Sequence, residues 1–140
     1  LAQEEDRWEL VVVDDGSPDT TGGALAPFLA DPRVRYLRFE RNRGLGRALN
    51  AGLQAARATQ VAYLPSDDVW YADHLSSLLA AFSENPAAVM AVSGVRHAYN
   101  RFAERQVPGE PYQLVQVMHV RTPDRWLERS ALTTDDLGRM

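Results

Sequence analysis

The stretch that decides the fold is WELVVVDDGSPD, residues 8–19, in which a short apolar run stops at acidic and turn-forming residues. The apolar part is rich in β-branched valine, which is typical of a buried strand. The part that follows combines residues that favour tight turns and helix caps. The pattern predicts a buried strand that ends at about Asp14 and leads into a loop and a helix.

The same alternation continues outward through the first two thirds of the chain. We predict further strands over 34–39, 61–65 and 89–95, and helices over 20–30, 47–58 and 69–83. Strands joined by helical crossovers of this length are typical of α/β proteins with a parallel sheet. The sequence therefore predicts a three-layer α/β/α fold with a mostly parallel sheet.

Beyond Arg96 the periodicity is weaker. The apolar stretch YQLVQVMHV predicts a strand over 112–120, and two short helices are predicted over 123–132 and 133–140. A chain of 140 residues has the usual size of one domain. We therefore expect a single domain over residues 1–140.

The composition excludes several classes of protein. With 45% hydrophobic and 24% charged residues, the chain resembles a soluble globular protein. A net charge of -4 gives no attraction to nucleic acid, so we expect no nucleic-acid partner. Cysteine is absent, so any metal must be held by oxygen or imidazole. Without a run of about 20 apolar residues or a signal-peptide core, we expect a cytoplasmic protein.

Acidic residues follow two of the predicted strands. Asp14 and Asp15 come after the first strand, Asp67 and Asp68 after the third, and the loop 42–46 contains two glycines. In α/β sheets, ligands bind at the carboxyl ends of the strands. Crowded carboxylates repel one another, and a divalent cation that bridges to phosphate would remove the repulsion. This arrangement favours a site for a diphosphate and its metal.

Each motif also has a plain structural explanation. DDGS is an ordinary turn and helix-cap signal, and SDD before a helix is equally typical of a cap alone. The glycines of NRGLG are equally typical of a tight bend. Only the order of the motifs and their common location favour a ligand site.

In this order, VVVDDGSPD, NRGLGRALNAGL and YLPSDDVWYADHL resemble the motifs of glycosyltransferase family 2, a group of inverting enzymes with the GT-A fold. The resemblance covers about residues 8–95. It implies a nucleotide-diphosphate sugar as donor and a hydroxyl of a saccharide, lipid or other acceptor. Residues 1–95 would then form the nucleotide-sugar-binding half, and residues 96–140 the acceptor side with the catalytic base.

The resemblance also implies roles for single residues. The family's metal-binding Asp corresponds to Asp68, which would hold the diphosphate through Mg²⁺ or Mn²⁺. Asp15 would contact the nucleobase or ribose, and Asp67 the sugar or ribose. Arg47 would contact a phosphate or would be solvated without a ligand contact. The implied nucleotide-sugar-binding residues are Asp14, Asp15, Gly44, Arg47 and Asp67.

An inverting transfer also needs a base for the acceptor hydroxyl. The candidates are Asp135 and Asp136, with Asp124 and Glu128 behind them, although the family's late acidic motif is not clearly matched. TTDD is equally typical of a helix cap.

Two further residues have alternative interpretations. His119 would be a phosphate or metal contact, or a core histidine with its hydrogen bonds satisfied. Trp126 would flank the acceptor or fill the core.

The sequence departs from the family in one respect. Family members begin with a strand and a Pro-x-Tyr-Asn-like segment that precede the strand over residues 8–14. We therefore expect a partial domain that lacks the first strand. The strand edges that this leaves exposed are expected to pair with those of a second copy of the chain. A longer parent would work in the cytoplasm at the membrane face.

Two other functions remain open. The first is a non-catalytic domain that binds a sugar nucleotide without turnover. The second is a nucleotidyltransferase, which should carry a glycine-rich loop with Arg or Lys after its first strand. No such loop is seen in this sequence, so the nucleotidyltransferase is the weaker alternative.

Overall fold

The computed structural model describes residues 2–94, 97–98, 102–103 and 114–126. The chain divides into two compact units. The DDGS unit comprises residues 8–58 with 122–140, and the SDD unit comprises residues 1–7 with 59–121.

The sheet of the DDGS unit is a parallel pair of strands. Strand β1 (Leu10–Asp14) pairs with β2 (Val34–Arg38), with Leu10 opposite Val34 and Asp14 opposite Arg38. Because the two strands run in the same direction and in register, the loops that follow them lie at the same edge. Both strands are present where the sequence predicts them.

The first helix is shorter than the predicted helix over 20–30. Helix α1 (Thr21–Leu25) ends in a 3-10 turn over Ala26–Phe28. Its N-cap residue is Thr20, which makes no side-chain capping hydrogen bond, and the Asp19 Oδ1 accepts the Thr21 N–H at 2.9 Å. Two glycines and Pro27 lower the helix propensity of this segment, which explains the early end.

Helix α2 (Leu45–Ala55) packs on β1 through small residues. A Cβ at Gly52 would lie 3.5 Å from the Val13 side chain, and Ala48 and Leu53 are buried. The close packing that these small residues predict is therefore observed.

Glu9 and its partners surround the end of α2, three residues before the predicted end at residue 58. The Glu9 carboxylate accepts the N–H groups of Arg57 and Ala58, and the Arg35 guanidinium bridges Glu9 (2.7 Å) to the Ala55 carbonyl (2.6 Å). Burial alone would raise the pKa of Glu9, but these N–H groups and cations lower it to about 2. Glu9 therefore holds the chain in a non-helical path after Ala55.

The SDD unit contains a three-stranded sheet in the order β3 (Gln60–Ala62), β7 (Val117–Val120) and β4 (Met90–Val92). The middle strand β7 is antiparallel to both neighbours. It occupies only the last part of the predicted strand over 112–120, because Leu114–Gln116 forms a 3-10 turn. This insertion between β3 and β4 was not predicted.

Helix α3 (His74–Glu84) packs on this sheet. Its Leu78 is buried against Ala91 and Met118, which form the core of the unit. The predicted helix over 69–83 began too early, because residues 69–73 form a loop whose Tyr71 carbonyl is bound by the Gln3 side chain and whose Trp70 indole is bound by the Val115 carbonyl.

The remaining described elements are small. Strand β5 (His97–Ala98) pairs in antiparallel fashion with β6 (Phe102–Ala103). Residues 123–126 are not helical, so the predicted helix over 123–132 is wrong in this part. Residues 127–140 lie outside the described residues. Within the described ranges, no helix has the length and hydrophobicity that a membrane span requires.

Candidate functional site

The turn after β1 is built around the carboxylate of Asp14. Asp14 is only 4% exposed and accepts hydrogen bonds from the Tyr36 hydroxyl and, at 2.7 Å, from the Ser17 N–H. The Arg38 guanidinium lies 3.7 Å away. The Tyr36 hydroxyl first, and then Ser17, lower the pKa of Asp14 to about 2. Asp14 is therefore ionised at neutral pH, and both of its oxygens are engaged with protein groups.

Asp15 joins the loop after β1 to the loop after β2. Its Oδ1 accepts the N–H of Arg43 at 2.7 Å, and its Oδ2 accepts the N–H of Gly44 at 2.8 Å. Gly44 has a positive φ of 92° and is the N-cap of α2. Asp15 and Gly44, which the sequence assigns to one site, are thus in direct contact.

Gly16 allows the two loops to approach each other. Its φ is 78°, and a Cβ at this position would lie 2.5 Å from the carbonyl carbon of Arg41. Both the backbone conformation and the space therefore require glycine. The glycine of the DDG motif is therefore required by the fold, independently of any role of the motif in binding.

The start of α2 is exposed and carries both the apolar Leu45 and the charged Arg47. Arg47 is exposed on the first turn of this helix, where no acidic side chain is present. The guanidinium of Arg43 lies 5.3 Å from the centre of the Phe39 ring. Asn42 supports the turn, because its Oδ1 accepts the Gly44 N–H at 3.1 Å.

In the SDD unit, Asp67 and Asp68 belong to a tight turn after β3. The Asp68 N–H donates to the Pro65 carbonyl at 3.2 Å, which closes the turn. Asp67 is exposed and Asp68 is half-buried. Within the part of the chain that the structure describes, neither carboxylate accepts a hydrogen bond or forms an ion pair. These two carboxylates differ in this respect from those of Asp14 and Asp15.

The loop that follows carries an aromatic anchor. The Trp70 indole N–H donates to the Val115 carbonyl at 3.0 Å, and the indole stacks on His74 with ring centres 4.4 Å apart. Burial lowers the pKa of His74. His74 is not among the site residues predicted from the sequence. The four-residue spacing between Trp70 and His74 was the available signal, but it was interpreted as part of a longer helix.

His119 is engaged inside the SDD unit. Its Nδ1 lies 2.8 Å from the Val120 carbonyl and its Nε2 lies 2.8 Å from the Tyr63 hydroxyl. Because a carbonyl can only accept, Nδ1 donates to Val120, and in the neutral imidazole Nε2 then accepts the hydroxyl proton of Tyr63. Both ring nitrogens are thus used, which favours the core interpretation over a phosphate or metal contact.

The late acidic residues are only partly described. Asp124 is exposed and accepts the Thr122 hydroxyl at 2.7 Å. Trp126 is 39% exposed, and its backbone is held on both sides by Asn50, which donates to the Trp126 carbonyl (3.0 Å) and accepts its N–H (2.8 Å). Three predicted residues lie outside the described part of the chain: Glu128, Asp135 and Asp136.

The predicted site residues are divided between the two units. Asp14, Asp15, Gly44 and Arg47 belong to the DDGS unit, whereas Asp67 and Asp68 belong to the SDD unit. Among the described residues, no group of three or more His, Asp or Glu side chains is arranged to hold a metal ion.

Comparison with known proteins identifies relatives of the chain. A family model described as glycosyl transferase family 2 matches residues 1–136. The succinoglycan biosynthesis protein ExoO of Rhizobium meliloti is 49% identical over 79 residues, which are 56% of this chain and 22% of that protein. The glucosyltransferase WfgD of Escherichia coli is 34% identical over 90 residues, 64% of this chain and 35% of that protein.

A solved structure shows the same fold. S. aureus TarS, residues 1–349, matches with a TM-score of 0.71 and 19% identity, over 86% of this chain and 40% of that chain. This likeness confirms the predicted α/β fold of the GT-A type. The chain spans between about a fifth and two fifths of the length of these three proteins.

Proposed function

The chain belongs to glycosyltransferase family 2, and from this membership we propose that it binds a nucleotide-diphosphate sugar for transfer to an acceptor hydroxyl. One observation carries the proposal. Of the four predicted aspartates, Asp14 and Asp15 are engaged with protein groups, whereas Asp67 and Asp68 have no partner among the described residues. Two adjacent carboxylates without partners repel each other, and this repulsion favours a bound cation.

The free carboxylates fit Mg²⁺ or Mn²⁺. Both ions prefer oxygen ligands, and nucleotide-bound Mg²⁺ usually takes one or two protein carboxylates, with phosphate oxygens and water completing its shell. We assign the metal to Asp68 and the sugar or ribose to Asp67. When bound, the ion would neutralise the charge that develops on the departing diphosphate.

On the donor side, Asp15 would serve two purposes. It fixes the N–H groups of Arg43 and Gly44 with one lone pair on each oxygen, and each oxygen retains a second lone pair. These lone pairs would accept hydrogen bonds from the nucleobase or ribose. Asp14 would stabilise the same turn, and Arg47 would contact a phosphate.

The proposed reaction inverts the anomeric carbon. The acceptor oxygen forms a bond to this carbon while the bond to the diphosphate oxygen breaks, and the nucleoside diphosphate leaves with the bonding electrons. A carboxylate takes the hydroxyl proton, and we assign this role to Asp135 or Asp136. Proton NMR of the product would show the anomeric configuration opposite to that of the donor, and retention would contradict this part of the proposal.

The proposed acceptor class is based on the name of one relative. The full name of WfgD specifies a GlcNAc-diphosphoundecaprenol acceptor. We propose that the acceptor here is the hydroxyl of a saccharide or of a lipid-linked saccharide. The reaction would take place in the cytoplasm at the membrane face.

A product assay tests the proposed class of reaction. The protein expressed from its complete gene is incubated with Mn²⁺ and a panel of nucleotide sugars, and the released products are identified. Sugar transfer predicts release of a nucleoside diphosphate. Release of pyrophosphate would favour a nucleotidyltransferase, and donor binding without any release would favour a non-catalytic domain.

We also propose that the protein associates with a second copy of itself. Strand β4 pairs with β7 through Met90, yet Met90 is 48% exposed and the preceding Val89 is 73% exposed. Apolar residues at a strand edge favour pairing with another chain. We propose that two copies associate along this edge.

A further inference from the structure

A short segment near the amino terminus is fastened to the loop that follows Asp67 and Asp68. The Gln3 Nε2 donates to the Tyr71 carbonyl at 2.7 Å, and the Gln3 Oε1 accepts the Leu75 N–H at 3.1 Å. Next to it, the Glu4 N–H donates to the Ala72 carbonyl at 2.8 Å. The carboxamide of Gln3 thus uses its donor and its acceptor on two points of one loop.

Gln3 supplies a capping hydrogen bond to the first turn of α3. The N-cap residue of this helix, Asp73, makes no side-chain capping hydrogen bond. The first N–H groups of a helix have no acceptor within the helix and need one from elsewhere. The Oε1 of Gln3 supplies this acceptor to Leu75, from a position 72 residues away in the chain.

Among the residues that the structure describes, the loop over residues 65–73 has few other hydrogen bonds to distant segments. Its residues Val69 and Tyr71 are 89% and 64% exposed, so packing contributes little to its position. The Trp70 indole fixes the loop to the Val115 carbonyl. The bonds to Gln3 and Glu4 therefore provide the second fixed point, directly after the turn that carries the two aspartates.

We propose that Gln3 is a positioning residue that sets the direction of the Asp67 and Asp68 carboxylates for a divalent cation. The inference rests on the proposed function, because it assumes that these carboxylates bind the ion. Partners that orient a metal ligand contribute strongly to metal affinity even though they do not touch the metal. Loss of the Gln3 bonds should weaken cation binding without removing any ligand.

Gln3→Met is the direct test, because it keeps the length of the side chain and removes both hydrogen bonds. Gln54→Met is the matched control, since Gln54 is exposed on α2 and its side chain makes no hydrogen bond among the described residues. Mn²⁺ alone is titrated into each complete protein and followed by electron paramagnetic resonance. Hydrogen exchange of residues 65–73 is measured in the metal-free proteins.

We expect Gln3→Met to need an about 10-fold higher Mn²⁺ concentration for half-saturation and to exchange residues 65–73 faster. Gln54→Met should behave like the wild type. Nucleoside diphosphate release by Gln3→Met should require more Mn²⁺ but approach the wild-type rate at saturation.

A second variant covers the case in which Gln3→Met does not fold. Gln3→Glu keeps the acceptor for Leu75 and adds a negative charge that suits a helix N-terminus, but it loses the donor for Tyr71. It should fold and show an intermediate Mn²⁺ requirement.

Two results would overturn the inference in distinguishable ways. A folded Gln3 variant with lower thermal stability but wild-type Mn²⁺ binding would show that Gln3 is merely structural, and the proposed function would stand. A wild-type protein that neither binds Mn²⁺ nor releases nucleoside diphosphate would overturn the proposed function and this inference together.

Discussion

At the scale of single residues, what separates the four aspartates is the set of groups around each carboxylate. Asp14 is buried among donors that hold its pKa at about 2. Asp15 holds two backbone N–H groups of the neighbouring loop. Aspartates at the end of β1 therefore hold the loops together. Those that follow β3, Asp67 and Asp68, have no partner among the described residues.

The environment of Asp14 predicts a pH dependence. Because its folded-state pKa of about 2 lies below the ordinary value of 3.8, its ionisation stabilises the fold above about pH 4, and this stability is lost as the pH falls toward 2. Tyr36→Phe removes the strongest cause of the lowered pKa. The variant should be less stable at pH 7, and the difference from the wild type should shrink between about pH 4 and 2.

Urea unfolding at a series of pH values measures this difference. Tyr71→Phe is the control, because Tyr71 is 64% exposed and its hydroxyl makes no hydrogen bond among the described residues. A stability gap for Tyr36→Phe that stays constant down to about pH 2 would show that the hydroxyl does not act through Asp14.

Part of the spatial arrangement of the candidate residues could be predicted from the sequence. The spacing of DDGS and NRGLG placed Asp15 and Gly44 together, because both follow parallel strands that end at one edge. It could not show that Asp14 would be paired, because its partner Tyr36 is 22 residues away and reaches it only after β1 and β2 have paired. The hydrogen bonds of His119 depend on tertiary neighbours in the same way.

At the scale of elements, the loops between strands and helices fix the site more than the helices do. Gly16 lets the loop after β1 touch the loop after β2, and Asp15 then ties them together. Gly16→Ala should cost about 1 to 2 kcal/mol for its positive φ alone, and the contact with Arg41 should add to this.

The matched control for this prediction is Gly23→Ala. Gly23 lies in α1, and a Cβ there would meet nothing within 4 Å. This substitution should stabilise the protein by about 0.5 to 1 kcal/mol. The midpoints of urea unfolding give both values, and equal midpoints for the two variants would refute the assigned role of Gly16.

The boundaries of the helices were the least predictable part of the fold. Apolar spacing located α2 and α3, but α2 ends where Glu9 engages the following N–H groups, and α3 begins only after a loop that Gln3 and Trp70 hold. These partners come from distant positions in the chain. Local periodicity therefore could not detect them.

At the scale of the whole molecule, family membership and the α/β fold agree with the order of the motifs. The sequence predicted the alternation of strands and helices and the parallel pairing of β1 with β2. It did not predict that β7 would insert between β3 and β4, because the choice of a strand's partners depends on long-range contacts.

Within the described ranges β4 pairs on one side only, with β7, and this edge together with the exposed Val89 and Met90 predicts self-association. Met90→Lys places a charge at an apolar strand edge, a change that opposes pairing between chains. Sedimentation velocity should show a concentration-dependent dimer for the wild type and a monomer for Met90→Lys. A wild type that remains monomeric at every concentration would contradict the association.

The most direct test of the account is the release of nucleoside diphosphate by Asp68→Asn in the complete protein. We expect the rate to fall by about 100-fold or more, because the neutral amide binds the cation that stabilises the leaving diphosphate far more weakly than a carboxylate does. Asp73→Asn, which makes the same change of charge at an exposed position of the same loop, should stay close to the wild type. A wild-type rate in Asp68→Asn would contradict the assignment of the metal to this carboxylate, and with it the central claim.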